Sequence, residues 1–134
     1  MLKQFIEIAL VAICLTPGCS YAQTLTWKFQ SFDKTVVDIQ FYPESRTRLF
    51  PANRPVYSLD DYGMHSYTIS CAAGEKICYG AWMRTNTSAH WGKGKDEKNR
   101  CSDCCYTCNG GTTPIHKLSE STAQPDSSHV YHFY

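Results

Sequence analysis

Met64-His65-Ser66-Tyr67-Thr68-Ile69-Ser70-Cys71-Ala72-Ala73-Gly74-Glu75-Lys76-Ile77-Cys78-Tyr79-Gly80-Ala81-Trp82-Met83-Arg84 is two alternating runs around a short break. In the first, His65, Tyr67, Ile69 and Cys71 oppose Met64, Ser66, Thr68 and Ser70; in the second, Ile77, Tyr79, Ala81 and Met83 oppose Cys78, Gly80 and Trp82. A period of two places alternate side chains on opposite faces of a strand. The break at Ala72-Ala73-Gly74-Glu75 suits a turn. An antiparallel hairpin would bring Cys71 and Cys78 close enough to bond; alternatively, each reaches across to a more distant cysteine.

The same period extends outward. In residues 34–42, Thr35, Val37, Ile39 and Phe41 share one face, and Val36, Asp38 and Gln40 the other. Pro43-Glu44-Ser45, Pro51-Ala52-Asn53-Arg54-Pro55 and Asp60-Asp61-Tyr62-Gly63 punctuate the runs. No helical stripe of any length follows the first 22 residues. These features predict an all-β fold, a small antiparallel β-sandwich over residues 23–118 with a long cysteine-stapled loop at 85–111. That loop is polar and rich in Gly, Lys, Asn and Cys, so it should be cross-linked or functional. Residues 113–118 are expected to return to the sheet. Residues 119–134 are expected to form a flexible C-terminal segment, with His129-Val130-Tyr131-His132-Phe133-Tyr134 as a possible edge strand.

Residues 1–22 have the pattern of a signal peptide: Lys3, the apolar run Ile8-Ala9-Leu10-Val11-Ala12-Ile13-Cys14-Leu15, then Pro17-Gly18 and the cleavage-compatible Ser20-Tyr21-Ala22. The apolar run is too short to span a bilayer. A lipid anchor at Cys19 is the disfavoured alternative, because Thr16 and Pro17 fit that pattern poorly. The pattern implies an exported, periplasmic or extracellular domain. With 13 basic and 12 acidic residues, the chain has no basic excess to favour nucleic acid or an anionic membrane.

Cys71, Cys78, Cys101, Cys104, Cys105 and Cys108 remain beyond the leader. Export and an even count favour three disulfides, in any of fifteen pairings. Adjacent Cys104 and Cys105 should reach in different directions, because a bond between them strains the intervening peptide. A zinc site built from one Cys-x-x-Cys and a second pair from Cys71, Cys78 or His90 ranks lower, as four cysteines within eight residues converge poorly on one ion. Thiol–disulfide exchange ranks lowest, since no helix start is visible to lower a thiol pKa. No metal or other cofactor is therefore expected.

Cys71-Ala72-Ala73-Gly74-Glu75-Lys76-Ile77-Cys78-Tyr79-Gly80-Ala81-Trp82, then Trp91-Gly92-Lys93-Gly94 and the Cys101 to Cys108 cluster, resembles a group of exported bacterial cysteine-rich proteins. The resemblance covers a little over half the chain. It implies a β-rich, cysteine-stapled exported module and carries no catalytic residues.

The candidate contact surface is the 85–111 loop, with His90, Trp91, Lys93 and Lys95 as binding residues: Trp offers a stacking face, and glycines free backbone N–H groups. The expected partner is a protein or a carbohydrate. A small hydrolase acting on envelope or host polymers is the alternative, with His65 or His90 as base and Asp60 or Asp61 orienting His65; a structural envelope protein is the third. Arg46, Arg48 and Arg54 are a further candidate patch for an acidic ligand.

Overall fold

The computed structural model describes residues 22–44 and 55–125. Residues 1–21 of the leader, including Cys19, the arginines at 46, 48 and 54, and the terminal aromatic segment lie outside the described residues. Among the described residues, eight strands form two sheets: β1 (Ala22–Ser31), β2 (Val37–Pro43), β3 (Tyr57–Leu59), β4 (Met64–Ala72), β5 (Lys76–Met83), β6 (Asn86–Gly92), β7 (Cys105–Thr107) and β8 (Thr112–Leu118). The smaller sheet has the order β4-β1-β8 and the larger β3-β2-β5-β6, with β7 pairing beside the first half of β5. The all-β sandwich is as the alternation predicts.

The sheets face each other across an aromatic core. Trp27 and Phe29 on β1 are fully buried against Phe41, Tyr79 and Tyr106 of the other sheet, with ring centroids 5.0 to 6.0 Å apart. The core uses the faces the sequence assigned: Val37, Ile39 and Phe41 point inward, as do Ile69 and Cys71, whereas Met64, Ser66, Thr68 and Ser70 are exposed.

The opening stretch is not a hairpin. β4 pairs with β1, and β5 with β2, so the break at 72–75 is a corner between sheets. The corner is tightly pinned. The Glu75 carboxylate accepts from Ala72 N–H at 2.9 Å, Gly74 adopts a φ of 82°, and Gly74 N–H donates to Cys108 O at 2.8 Å. Cys71 and Cys78 accordingly reach away from each other. Cys71 bonds Cys108, Cys78 bonds Cys105 and Cys101 bonds Cys104, so no cysteine among the described residues is free. The first bond ties one sheet to the other.

Three expectations are revised. One pairing is parallel: β8 lies beside β1 with a register shift between Thr26 and Lys28. Pro114 sits at this irregularity, where its missing N–H costs no ladder bond, and the Thr113 hydroxyl accepts from Lys28 N–H at 3.3 Å instead. The 85–111 region is not one irregular loop, because it contains β6 and β7, whose cross-strand partners on β5 outweigh their polar composition. Finally, residues 119–125 are held. A 3-10 turn at Glu120–Thr122 leads to Gln124, which exchanges two backbone hydrogen bonds with His90 at 2.8 and 2.9 Å.

Disulfides that close longer loops remove more freedom from the unfolded chain, so the bonds spanning 37 and 27 residues are expected to contribute about 4 kcal/mol each and the one spanning 3 residues about 2. Chemical denaturation of pairwise Cys→Ala variants should follow that order, and Trp27→Ala should lose about 3–5 kcal/mol.

Candidate functional site

The two strands farthest along the open side of the sandwich, β6 and β8, do not pair. Between them lies a cleft of about 290 Å3, lined by residues that include Tyr79, Trp91, Asp103, His116, Thr122 and Gln124. The chain leaving β8 forms its roof. Trp91 Nε1 donates to Ser119 O at 3.2 Å and to Thr122 Oγ1 at 3.0 Å, which fixes the indole against the wall. Its rim is polar and exposed, carrying Asp103, Lys117 and Gln124.

His116 is the group that sequence reading missed. It lies in β8, its ring centroid 4.9 Å from Tyr79, 5.1 Å from Phe29, 5.4 Å from Tyr106 and 5.6 Å from Trp27. Burial pushes its pKa down to about 4, against the opposing pull of the Asp103 carboxylate. The imidazole is therefore neutral at neutral pH. Its buried Nε2 has no hydrogen-bond partner, nor does the buried Nε1 of Trp27. Unsatisfied polar atoms this deep in the core are costly. Burial also raises the Tyr79 hydroxyl well above its usual value, with the charge of Asp103 adding to the effect.

The sequence-derived residues divide between two faces. Trp91 stands opposite Ala81 on the inner face of the larger sheet, and its neighbour His90 stands opposite Trp82 on the outer face. His90 is buried at 2% exposure, with Nδ1 3.0 Å from Ser88 O. Lys93 and Lys95 belong to the segment that folds back across this outer face. Gly94 (φ 64°) accepts the Tyr42 hydroxyl at 2.9 Å, and a side chain at Gly80 would overlap the Gly94 carbonyl. Lys95 contributes its charge near Asp38. Burial raises the Asp38 carboxyl, but the Arg84 guanidinium, at 2.7 Å, and the Ser58 hydroxyl, at 2.8 Å, hold it below its ordinary value. The cover over this face thus buries Tyr42, Trp82 and His90, and does not project as a loop.

The His65–Asp61 pair forms as the spacing permits, with Nε2 to Oδ1 at 2.6 Å. The His65 hydrogen bond and the Gly63 N–H, at 2.8 Å, lower the Asp61 pKa. Its nearest hydroxyl in sequence, Ser66, faces the opposite side of β4. Comparison with protein-family models, with curated proteins and with solved structures finds no match.

A lowered histidine pKa means that the unfolded chain binds the extra proton first. The contribution of neutral His116 is full above the unfolded value near 6.5 and declines as pH falls toward about 4. Imidazole NMR should find His116 neutral at pH values where exposed histidines are charged, and His116→Gln should flatten the acid side of the stability profile.

Proposed function

We propose that the protein is an exported, disulfide-stabilised binding module that takes a small polar ligand, of the carbohydrate class, in the cleft between β6 and β8. The observation that carries the reading is a cleft whose rim holds the exposed side chains of Asp103, Lys117 and Gln124 above the buried Trp91 and Tyr79 and the half-buried His116. Carbohydrate hydroxyl groups pair with clustered polar side chains of this kind. Asp103, Lys117 and Gln124 supply the hydrogen-bonding groups, and the buried Trp91 and Tyr79 form the floor beneath them. Three disulfides accord with export, and among the described residues no helix is long and apolar enough to cross a membrane.

A labelled preparation applied to a glycan array, followed by titration of the retained sugar, tests the reading. Asp103→Ala and Gln124→Ala alter exposed rim positions and should leave folding intact while weakening binding about tenfold each, the effect of losing a ligand hydrogen bond. Lys93→Ala and Lys95→Ala should bind as the parent does. If the lysine variants lose binding and the rim variants retain it, the contact surface is the outer segment and the cleft assignment fails.

The hydrolase reading draws on the close His65–Asp61 pair. Turnover of a polymer substrate that is lost in His65→Ala and retained in Gln124→Ala would establish it in place of the binding module.

A further inference from the structure

On the outer face of the larger sheet, Cys78 and Cys105 stand directly opposite each other on β5 and β7 and are bonded. Beside them, Cys104 is bonded to Cys101, and its Sγ lies 3.8 Å from Cys105 Sγ. The sulfurs of Cys78, Cys104 and Cys105 all lie within 4.8 Å of one another. The backbone enforces this contact, because Tyr79 N–H donates to Cys104 O at 3.0 Å and docks Cys104 against β5 next to Cys78. A thiolate freed from one bond would already be positioned at the other.

The bonds differ in access. Cys71–Cys108 is sealed at both ends, at 0% exposure; Cys101 and Cys105 are half-buried with buried partners, Cys104 and Cys78, and of these two bonds Cys101–Cys104 is the one flanked by the exposed residues Arg100, Ser102 and Asp103. We propose that Cys101–Cys104 is a thiol-exchange site whose substrate is an external dithiol, and that Cys104 relays the exchange to Cys78–Cys105 while Cys71–Cys108 stays intact. In the first step a dithiol thiolate attacks Cys101 Sγ, and Cys104 leaves as a thiolate. The second thiol of the reagent then displaces Cys101, so the reagent is oxidised to its disulfide and the pair of cysteines gains its two electrons. In the second step the Cys104 thiolate attacks Cys78 Sγ. The Cys78–Cys104 bond forms, the Cys78–Cys105 bond breaks, and Cys105 leaves as a thiolate that takes a proton from solvent, with no net oxidation or reduction.

Two features select Cys78 as the attacked sulfur. Attack on Cys105 would join adjacent residues and strain the peptide between them. It would also release a Cys78 thiolate whose sulfur lies 3.9 Å from a Glu44 carboxylate oxygen. Attack on Cys78 avoids both costs and places the new negative charge on Cys105.

Limiting reduction with a phosphine at acid pH, where thiols are protonated and exchange stops, followed by maleimide trapping and non-reducing peptide mapping, should label Cys101 and Cys104. A parallel sample raised to mildly alkaline pH before trapping should keep the label on Cys101 and move the second label from Cys104 to Cys105. A first label on any other pair, or a second label that stays on Cys104 after the pH step, overturns the proposal. In Cys101→Ser, checked for its fold by near-ultraviolet circular dichroism, the free thiol should divide between Cys104 and Cys105; a thiol confined to Cys104 would likewise overturn it.

Discussion

The burial of Trp27 between two sheets governs the rest of the molecule. Its indole contacts rings from both sheets, Phe29 and His116 on its own and Phe41, Tyr79 and Tyr106 on the other. A residue of this size sets the distance between the sheets. β6 and β8 are edge strands of the two sheets and do not pair. Between them the cleft forms, with His116 at its inner end and the 119–124 segment as its roof.

An aromatic core in a short chain gains from covalent closure, and the disulfides divide that task by position. Cys71–Cys108 joins the sheets at the corner where the chain passes from β4 to β5. Cys78–Cys105 holds the short β7 to β5, which keeps Tyr106 over Trp27. Cys101–Cys104 restrains little chain, and its Cys101 end is half-buried beside the exposed Arg100, Ser102 and Asp103, so the weakest staple is open to a reagent at that end.

The segment 93–104 has a comparable double character. Its glycines permit backbone contact with β5, where a side chain at Gly80 or Gly92 would meet the main chain of the covering segment or of Tyr79. Because it lies so close, it buries the outer face of the larger sheet, including Tyr42, whose hydroxyl burial pushes up to about 12. Sequence composition marks such a segment as an exposed, adaptable loop. The close approach that gives it a covering role depends on positive φ at Gly92 and Gly94 and on the absence of a side chain at Gly80, and these matter only once the opposing strand is in place.

Alternation in residues 34–42, 64–71 and 76–84 was enough to establish an all-β sandwich and most of its inward-facing residues, because a period of two is a local property of the strand. The His65–Asp61 contact was also local, four residues apart on one turn and strand. What tertiary structure alone decided were the long-range partners. Whether the Ala72–Glu75 break is a hairpin or a corner depends on whether β1 and β2 compete successfully for β4 and β5, and a window of sequence does not contain those competitors. The disulfide pairing follows from that choice. So does the role of His116: in the sequence it is one polar residue in a short run after Pro114, and only the convergence of Trp27, Phe29, Tyr79 and Tyr106 strips its water and leaves its Nε2 without a partner.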